Sequence, residues 1–339
     1  MFFKKVACFT DIHFGMKGNS RVHNDDCESF IYWFIEQAKA HGCETCIFLG
    51  DWHHHRSATN VSTMNYTVSN MERLGQAFEK VYVIMGNHDL YYRDKREINS
   101  MEYIRNIPNI HIVNEWLVEE DVAIIPWVVQ DEWKKIANMK QKYVFGHFEL
   151  PYFKMNAMVE MPDVGGIQTD HFAGCGKVFS GHFHKRQYMK NVTYMGNAFP
   201  HNYADAWDDD RGMMVIEYGQ EPKFINWPDM PRYITIKVSQ LLEDPDKYLK
   251  PKMYVRVTLD IKISYEEANF VRETFIEKYK LRELQLIPEQ VDNAQQPLVE
   301  VQKFDSVDQI VIKQLQGVDS EVYDKNILTA IYNDLDVTN

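Results

Sequence analysis

The sequence predicts an α/β fold with its chemistry gathered at strand ends, and three observations carry that prediction. Five short apolar runs between residues 5 and 184 each finish in Asp, Asn or His, four of them just after a glycine. The first runs are separated by stretches whose apolar residues recur at helical spacing. Thr45-Cys46-Ile47-Phe48-Leu49 reads as a buried parallel strand that breaks into Gly50-Asp51-Trp52-His53-His54-His55. Functional groups of open α/β sheets lie beyond the carboxyl ends of the strands. There Asp51 can offer one carboxylate oxygen to each of two metal ions.

A chain of 339 residues, 45% apolar, suffices for one large domain with appendages. No apolar run approaches the roughly 20 residues needed to cross a bilayer. Residues 1–10 hold too short an apolar stretch for a secretory signal. Five cysteines with no pairing dictated by spacing suit a reducing, cytoplasmic setting. The net charge of −12 argues against holding nucleic acid by bulk electrostatics. Residues 288–339 carry ten acidic and three basic residues, so −7 of the −12 sits in that tail. The −5 left over permits a nucleic-acid substrate without pointing to one.

A first strand over 5–10 ends in Asp11-Ile12-His13-Phe14-Gly15, where strand alternation would send Asp11 and His13 to one side. Taken alone, Asp-x-His is common and is far more often a capping Asp beside an ordinary surface histidine. A helix is expected over 25–41, with Phe30, Ile31, Phe34, Ile35 and Ala38 on one face and His41-Gly42 as its stop. Cys43 and Cys46 have the spacing of half a zinc site or a redox pair, but no second pair completes a zinc site and Cys46 enters a buried strand, so they read as core cysteines. Of the histidines after Asp51, His54 is the one expected to support the site or touch a phosphate. The next helix, 59–80, carries Met64, Val68, Met71, Leu74 and Phe78 on one stripe. That stripe is a core face or, since methionines adapt to such surfaces, a self-association face.

The strand over 80–85 opens into Gly86-Asn87-His88-Asp89. The glycine allows a tight turn, Asn87 offers a neutral oxygen to a metal, and His88 projects just beyond. Arg93, Lys95 and Arg96 follow beside Tyr91 and Tyr92, either as a solvated turn or as a phosphate-backbone contact with stacking aromatics. Strands near 110–113 and 122–125 and a short helix near 131–139 lead to Gly146-His147. Residues 151–175 read as an irregular insertion, and loops of that length are usually functional or mobile. Gly181-His182-Phe183-His184 ends the last of the five strands. Strands near 192–195, 213–218 and 223–226 read as the second sheet of a sandwich, with 194–197 a turn that helps close the site.

Beyond a boundary at 227–231, strands over 233–238, 252–260 and 284–287 flank a helix over 264–280 that opens with a Ser264/Glu267 capping box. Together they make a small α+β domain over 231–290, against 1–230 for the main domain. The stretch 291–304 is rich in Gln, Pro and Asn, as linkers are. Over 305–339 two short amphipathic helices would bury little alone, and are expected to dock a partner protein.

The candidate metal ligands are therefore Asp11, His13, Asp51, Asn87, His147, His182 and His184. Mixed nitrogen and oxygen donors suit Mn, Fe or Zn better than Mg or Ca. Two such ions would activate a water and clamp phosphoryl oxygens during in-line attack, and no covalent nucleophile is evident.

With these motifs the chain resembles the calcineurin-like metallophosphoesterases and, within them, the SbcD-type DNA repair nucleases and their T-even-type phage branch. The motifs cover residues 1–200; the module after 231 matches by position more than by sequence. The resemblance implies a four-layer αββα metallophosphoesterase sandwich with a small α+β DNA-capping domain and C-terminal helices. It implies two divalent ions, Mn as the working metal, with Asp11, His13, Asp51 and His184 on one and Asp51, Asn87, His147 and His182 on the other. His88 would touch the scissile phosphate and stabilise or protonate the leaving oxygen. DNA as substrate, a homodimer through the helices after Asp51 and Asn87, and an SbcC-like, SMC-family ATPase gripping the C-terminal helices are implied as well. Cellular members of the family are usually longer, so the capping domain here would be a reduced one. A phosphodiesterase or phosphatase acting on small nucleotides or phosphoproteins would use the same metals but generally lacks the capping module and helix pair. A metal-free scaffold would have lost ligands, and all seven are present.

Overall fold

The computed structural model describes residues 1–155 and 159–288; the linker expected at 291–304 and the helices expected at 305–339 lie outside them. Nearly every position of β1 (Lys5–Phe9), β2 (Thr45–Phe48) and β3 (Lys80–Ile84) is buried. Burial on both faces is the mark of parallel strands covered from two sides. They pair in parallel with one another, and β4 (Ile110–Val113) extends the sheet beyond β3. On the other edge β11 (Gly212–Glu217) adds to β1 antiparallel, with Lys5 opposite Glu217, and β12 (Lys223–Asn226) adds to β11. This corrects the placement of 213–218 and 223–226 in the second sheet. A strand's apolar pattern says that it is buried, not which edge it joins.

The second sheet runs β5 (Leu117–Val118), β6 (Val122–Ile125), β7 (Tyr143–His147), β8 (Lys177–Gly181), β10 (Val192–Tyr194), β9 (Gln187–Met189), with β6, β7, β8 and β10 parallel. Alternate residues of the two sheets meet between them. Cys8, Ile47 and Ile84 of the first share one apolar cluster with Ile124, Phe145 and Phe179 of the second. Their neighbours Phe9, Phe48 and Val83 face outward onto Phe30, Phe34, Met71 and Leu74 of the helices. The outer face of the second sheet, Ile125, Val144 and Val178, is covered by Ile136 and Phe172 of two 3-10 segments, Gln130–Asn138 and Thr169–Phe172. The order is thus helix, sheet, sheet, short helical turns. All five cysteines are free and buried.

After the short kinked turn α1 (Met16–Asn19), helix α2 spans Arg21–Ala40 and starts earlier than expected, because the Ser20 side chain caps the amide of His23. Helix α3 (Val61–Ala77) is capped by Asn60 on the amide of Ser62. Its large buried apolar side chains are Met71 and Leu74; its first three turns bury Thr63, Thr67 and Asn70 instead. The helix expected after Asn87 is a single 3-10 turn, Glu102–Ile104. No helix among the described residues is long and apolar enough to cross a membrane.

The third sheet, β13 (Tyr233–Lys237), β14 (Tyr254–Leu259) and β15 (Glu283–Pro288), is wholly parallel. Helices α4 (Val238–Glu243) and α5 (Pro245–Tyr248) connect its first two strands, and α6 (Tyr265–Tyr279) its last two. Ser264 and Glu267 form the expected capping box on α6, each side chain bonded to the other's amide at 3.2 and 2.9 Å. This module owns an apolar cluster of Ile236, Leu241, Val255, Val257 and Leu284. Polar bonds and ring contacts tie it to the main body: Arg282 clasps Asp26 of α2 with two bonds of 2.8 Å, and the Tyr203 ring lies 5.1 Å from that of Tyr233. Lys17 donates to the hydroxyl of Tyr233, whose ring stacks on Tyr254 at 4.5 Å.

Candidate metal centre

The loops that leave β1 and β2 run side by side before they carry any chemistry. Asp11 N–H donates to the carbonyl of Gly50 at 3.0 Å, His13 to that of Asp51 at 3.2 Å, and Phe14 to that of Trp52 at 2.8 Å. The loop after β3 is tied to them by Asp89. One of its oxygens accepts from the amides of Asp51 (2.8 Å) and Gly86 (3.0 Å), the other from those of Trp52 (2.9 Å) and His53 (3.1 Å). Burial and the nearby Asp51 charge push the Asp89 pKa up to about 7, against the pull of those amides. Glycine is needed where the loops touch. A Cβ on Gly86 would overlap the Asp51 carboxylate, and one on Gly181 would overlap Thr10 and crowd Asp11 and His147.

Four of the seven expected ligands occupy the left-handed region: Asp11 (φ 50°), His13 (53°), Asp51 (62°) and His182 (91°). Non-glycine residues rarely do so, and such conformations gather at functional sites. Asp11 and His13 therefore share a site because the chain coils sharply beyond β1. Strand alternation, the reason given by pattern alone, is not what brings them together.

All seven meet in one cluster. Asp51 is buried at its centre, with Oδ2 at 3.4 Å from His147 Nε2 and 3.8 Å from His13 Nε2, and Oδ1 accepting from the His88 amide at 2.8 Å. On one side lies Asp11, fixed by Thr10 Oγ (2.6 Å) and the amide of His182, with His13 Nε2 and His184 Nε2 each 3.9 Å from its Oδ1. On the other lies Asn87 Oδ1, 3.1 Å from His147 Nε2 and 2.9 Å from His182 Nδ1. His147 has its second nitrogen on the carbonyl of Leu49 at 2.7 Å, and His182 has its own on Glu149 at 3.3 Å. Such outer partners fix which ring nitrogen faces a metal.

The fit to divalent ions rests on what this cluster lacks. Both ring nitrogens of buried His13 are without a hydrogen-bond partner, although two carboxylates stand beside it. Burial holds His13 well below the usual imidazole range, against the pull of Asp51 and reinforced by His184, His88 and His54, so it is a neutral ring with one nitrogen lone pair to share. Burial also opposes a charge on His147, but the hydrogen-bonded Asp51 outweighs it and raises that pKa to about 9. A proton on His147 thus stands in a place built for positive charge. Nitrogen and carboxylate donors converging on buried, unpartnered positions suit borderline transition ions.

His88 lies beside this cluster, half-buried, with its ring 5.0 Å from His13. Its Nδ1 is bonded to the carbonyl of His54 at 2.7 Å. The His54 ring stacks on His88 at 5.5 Å, and its Nδ1 has no partner. Burial, then the neighbouring His88 and His55, depress the His54 pKa to about 4. His53 is structural, bonded to Ser100 and Thr67.

Of the basic loop, Arg93 and Lys95 are exposed. Arg93 bonds Glu149 at 2.6 Å and lies over the Trp127 ring. Arg96 does not belong with them. It is 7% exposed and its guanidinium is consumed by Glu132 (2.6 and 2.7 Å) and by the carbonyls of Asn114 and Trp127. This corrects its assignment as a DNA contact: the loop folds back and spends that charge inside.

Sequence reasoning gave no role to three neighbours, Asp89, Glu149 and His201, and placed a fourth, Asn197, only in the turn expected to help close the site. Asp89 closes the Gly86-Asn87-His88-Asp89 motif, and Glu149 stands two residues after His147. Asn197 and His201, from the loop after β10, are buried with no partner on any side-chain polar atom. The rings of His13 and His184 are each 5.4 Å from His201. Meanwhile α2 grips the first ligand loop from behind: His23 Nε2 bonds the carbonyl of His13 at 2.9 Å, and Asn24 accepts from the amide of Gly15 at 2.8 Å.

The family model described as calcineurin-like phosphoesterase matches residues 4–186. The chain is similar to exonuclease subunit 1 of Enterobacteria phage T4, at 24% identity over 317 residues, covering 86% of this chain and 92% of that protein. Among solved structures it is similar to the nuclease MPE of Pseudomonas putida, at 20% identity and a TM-score of 0.29. That match covers 53% of this chain and 62% of the other, less than two thirds of its length. A likeness of that size carries no argument.

Proposed function

This chain belongs to the calcineurin-like phosphoesterase family, and from that premise we propose that it is a two-metal DNA nuclease of the SbcD type. The observation that carries the reading is the convergence of five strand-end loops on Asp51, with unpartnered donors to either side. The similarity to an exonuclease subunit along most of both chains supports DNA as substrate. Asp11, His13, Asp51 and His184 would hold one ion, and Asp51, Asn87, His147 and His182 the other, with Mn as the working metal. When bound, such a pair supplies Lewis acidity to the phosphoryl oxygens and lowers the pKa of an attacking water.

The remaining work falls to side chains of this protein. The His54 carbonyl accepts from His88 Nδ1–H and so fixes the ring; in its imidazolium form the ring also carries a proton on Nε2, which it can give to the leaving oxygen as the phosphodiester bond breaks. His54, stacked behind it, is a support for that ring. Glu149 orients His182 and also binds Arg93, which with Lys95 would contact the DNA backbone. We assign 1–230 to the nuclease domain and 231–290 to the DNA-capping domain. Residues 305–339 would dock an SbcC-like, SMC-family ATPase, and α3 would contribute to a homodimer.

Hydrolysis of a 3′-labelled double-stranded oligonucleotide with Mn²⁺, run beside bis-p-nitrophenyl phosphate and a phosphoserine peptide, tests the reading. Cleavage of the DNA is expected. Intact DNA together with turnover of the small diester or the peptide would move the chain to another branch of the family.

A further inference from the structure

We propose that His201 is an additional nitrogen ligand to the ion that Asp11, His13 and His184 would hold, an inference that rests on the two-metal reading. His201 is fully buried, and neither of its ring nitrogens has a hydrogen-bond partner. Buried polar groups are almost always satisfied, so an imidazole with two bare nitrogens calls for a reason. One ligand atom from each of His13, His184 and His201 lies within 4.8 Å of the other two. Donors sharing one ion at ~2.1 Å can stand up to about 4.2 Å apart, so a small contraction closes the set. The other faces of the ring meet Phe199 at 5.0 Å and His23 at 5.6 Å, neither of which it hydrogen-bonds.

The loop is built to keep the ring there. The amide of Asn197 donates to the carbonyl of His184 at 3.1 Å, tying the turn after β10 to a ligand of the same ion. The amide of His201 donates to Asp205 at 2.9 Å, and Asp205 is clasped by the buried Arg211 at 3.3 Å. The ring is therefore aimed by a buried ion pair that does not itself enter the cluster. A third imidazole makes this ion's surroundings richer in nitrogen than those of its neighbour. Nitrogen donors favour borderline transition ions over Mg²⁺, so His201 would set which metal the site accepts.

The test uses the full chain, stripped with chelator, and its His201→Phe and His201→Asn variants. Manganese bound per chain after dialysis, Mn²⁺ titration by calorimetry and the visible absorption of bound Co²⁺ are measured, with thermal unfolding in chelator as the control for folding. The wild type is expected to take two ions. Both variants should hold one of them at least about tenfold more weakly, with an altered Co²⁺ spectrum and an unchanged melting temperature in chelator. Should the Phe variant fail to fold, the Asn variant decides. Two ions bound with wild-type affinity and spectrum in the folded variants would overturn this assignment and leave the two-metal reading standing. A wild type that takes up no divalent ion would overturn both.

Discussion

Asp89 grips the loop that carries Asp51 by its backbone, at 2.8 Å from the Asp51 amide, while the two carboxylates do different work. Asp51 faces the cluster; Asp89 spends both oxygens on four backbone amides. Asp89→Asn would replace one accepting oxygen by a donor facing other donors. A stability loss on the order of 3 kcal/mol is expected in urea titrations, together with weaker Mn²⁺ binding. Wild-type stability would mean that the amides find other partners.

His88 touches Asp51 only through its backbone amide, and its ring is held by the His54 carbonyl. His88→Ala should therefore abolish DNA cleavage while leaving the metal content per chain unchanged by elemental analysis. Loss of metal in step with activity would make His88 a ligand instead.

The pH dependence of the ion-free protein follows from His147. Its folded pKa of about 9 lies above the roughly 6.5 of a free imidazole. The stabilisation from its charged form is then complete below about pH 6.5 and lost as pH rises towards 9. Chelator-treated protein should melt at progressively lower temperature across that window, and His147→Gln should flatten the trend. Saturating Mn²⁺ should oppose it, because a ligand must shed its proton to bind. A flat wild-type profile in chelator would refute the raised pKa.

Arg93 and Arg96 are near neighbours with opposite fates. Arg96→Ala breaks a buried pair with Glu132 and should cost about 3 kcal/mol of stability, with no change in the salt dependence of DNA binding. Arg93→Ala should leave stability near wild type and lower the log–log salt slope by about 1. The reverse pattern, read from salt titrations of DNA binding, would exchange their roles.

The seven ligand candidates were legible because each ends or follows an apolar run, and because Gly86 and Gly181 are forced by close approach. Both the parallel core and the Ser264 cap follow from local pattern alone. His201 was not legible: no strand points to it, and only the packing of its loop over His13 and His184 gives it meaning. The left-handed turns at Asp11, His13, Asp51 and His182 were equally hidden, since such turns are expected of glycine. Arg96 misled because a basic residue in a basic loop looks solvated until its partners are known. Sheet membership of β11 was out of reach for a further reason: register with β1 is a pairing of residues two hundred positions apart.

The first turns of α2 serve two masters. Asp26 receives Arg282 from the third sheet, while His23 and Asn24, one turn earlier or less, fasten the carbonyl of His13 and the amide of Gly15. The small module and the first ligand loop thus hang from one stiff lever. The module cannot swing away without parting from Asp26, and α2 cannot tilt there without dragging on His13. Whatever pulls on the third sheet therefore pulls within two helical turns of the chemistry.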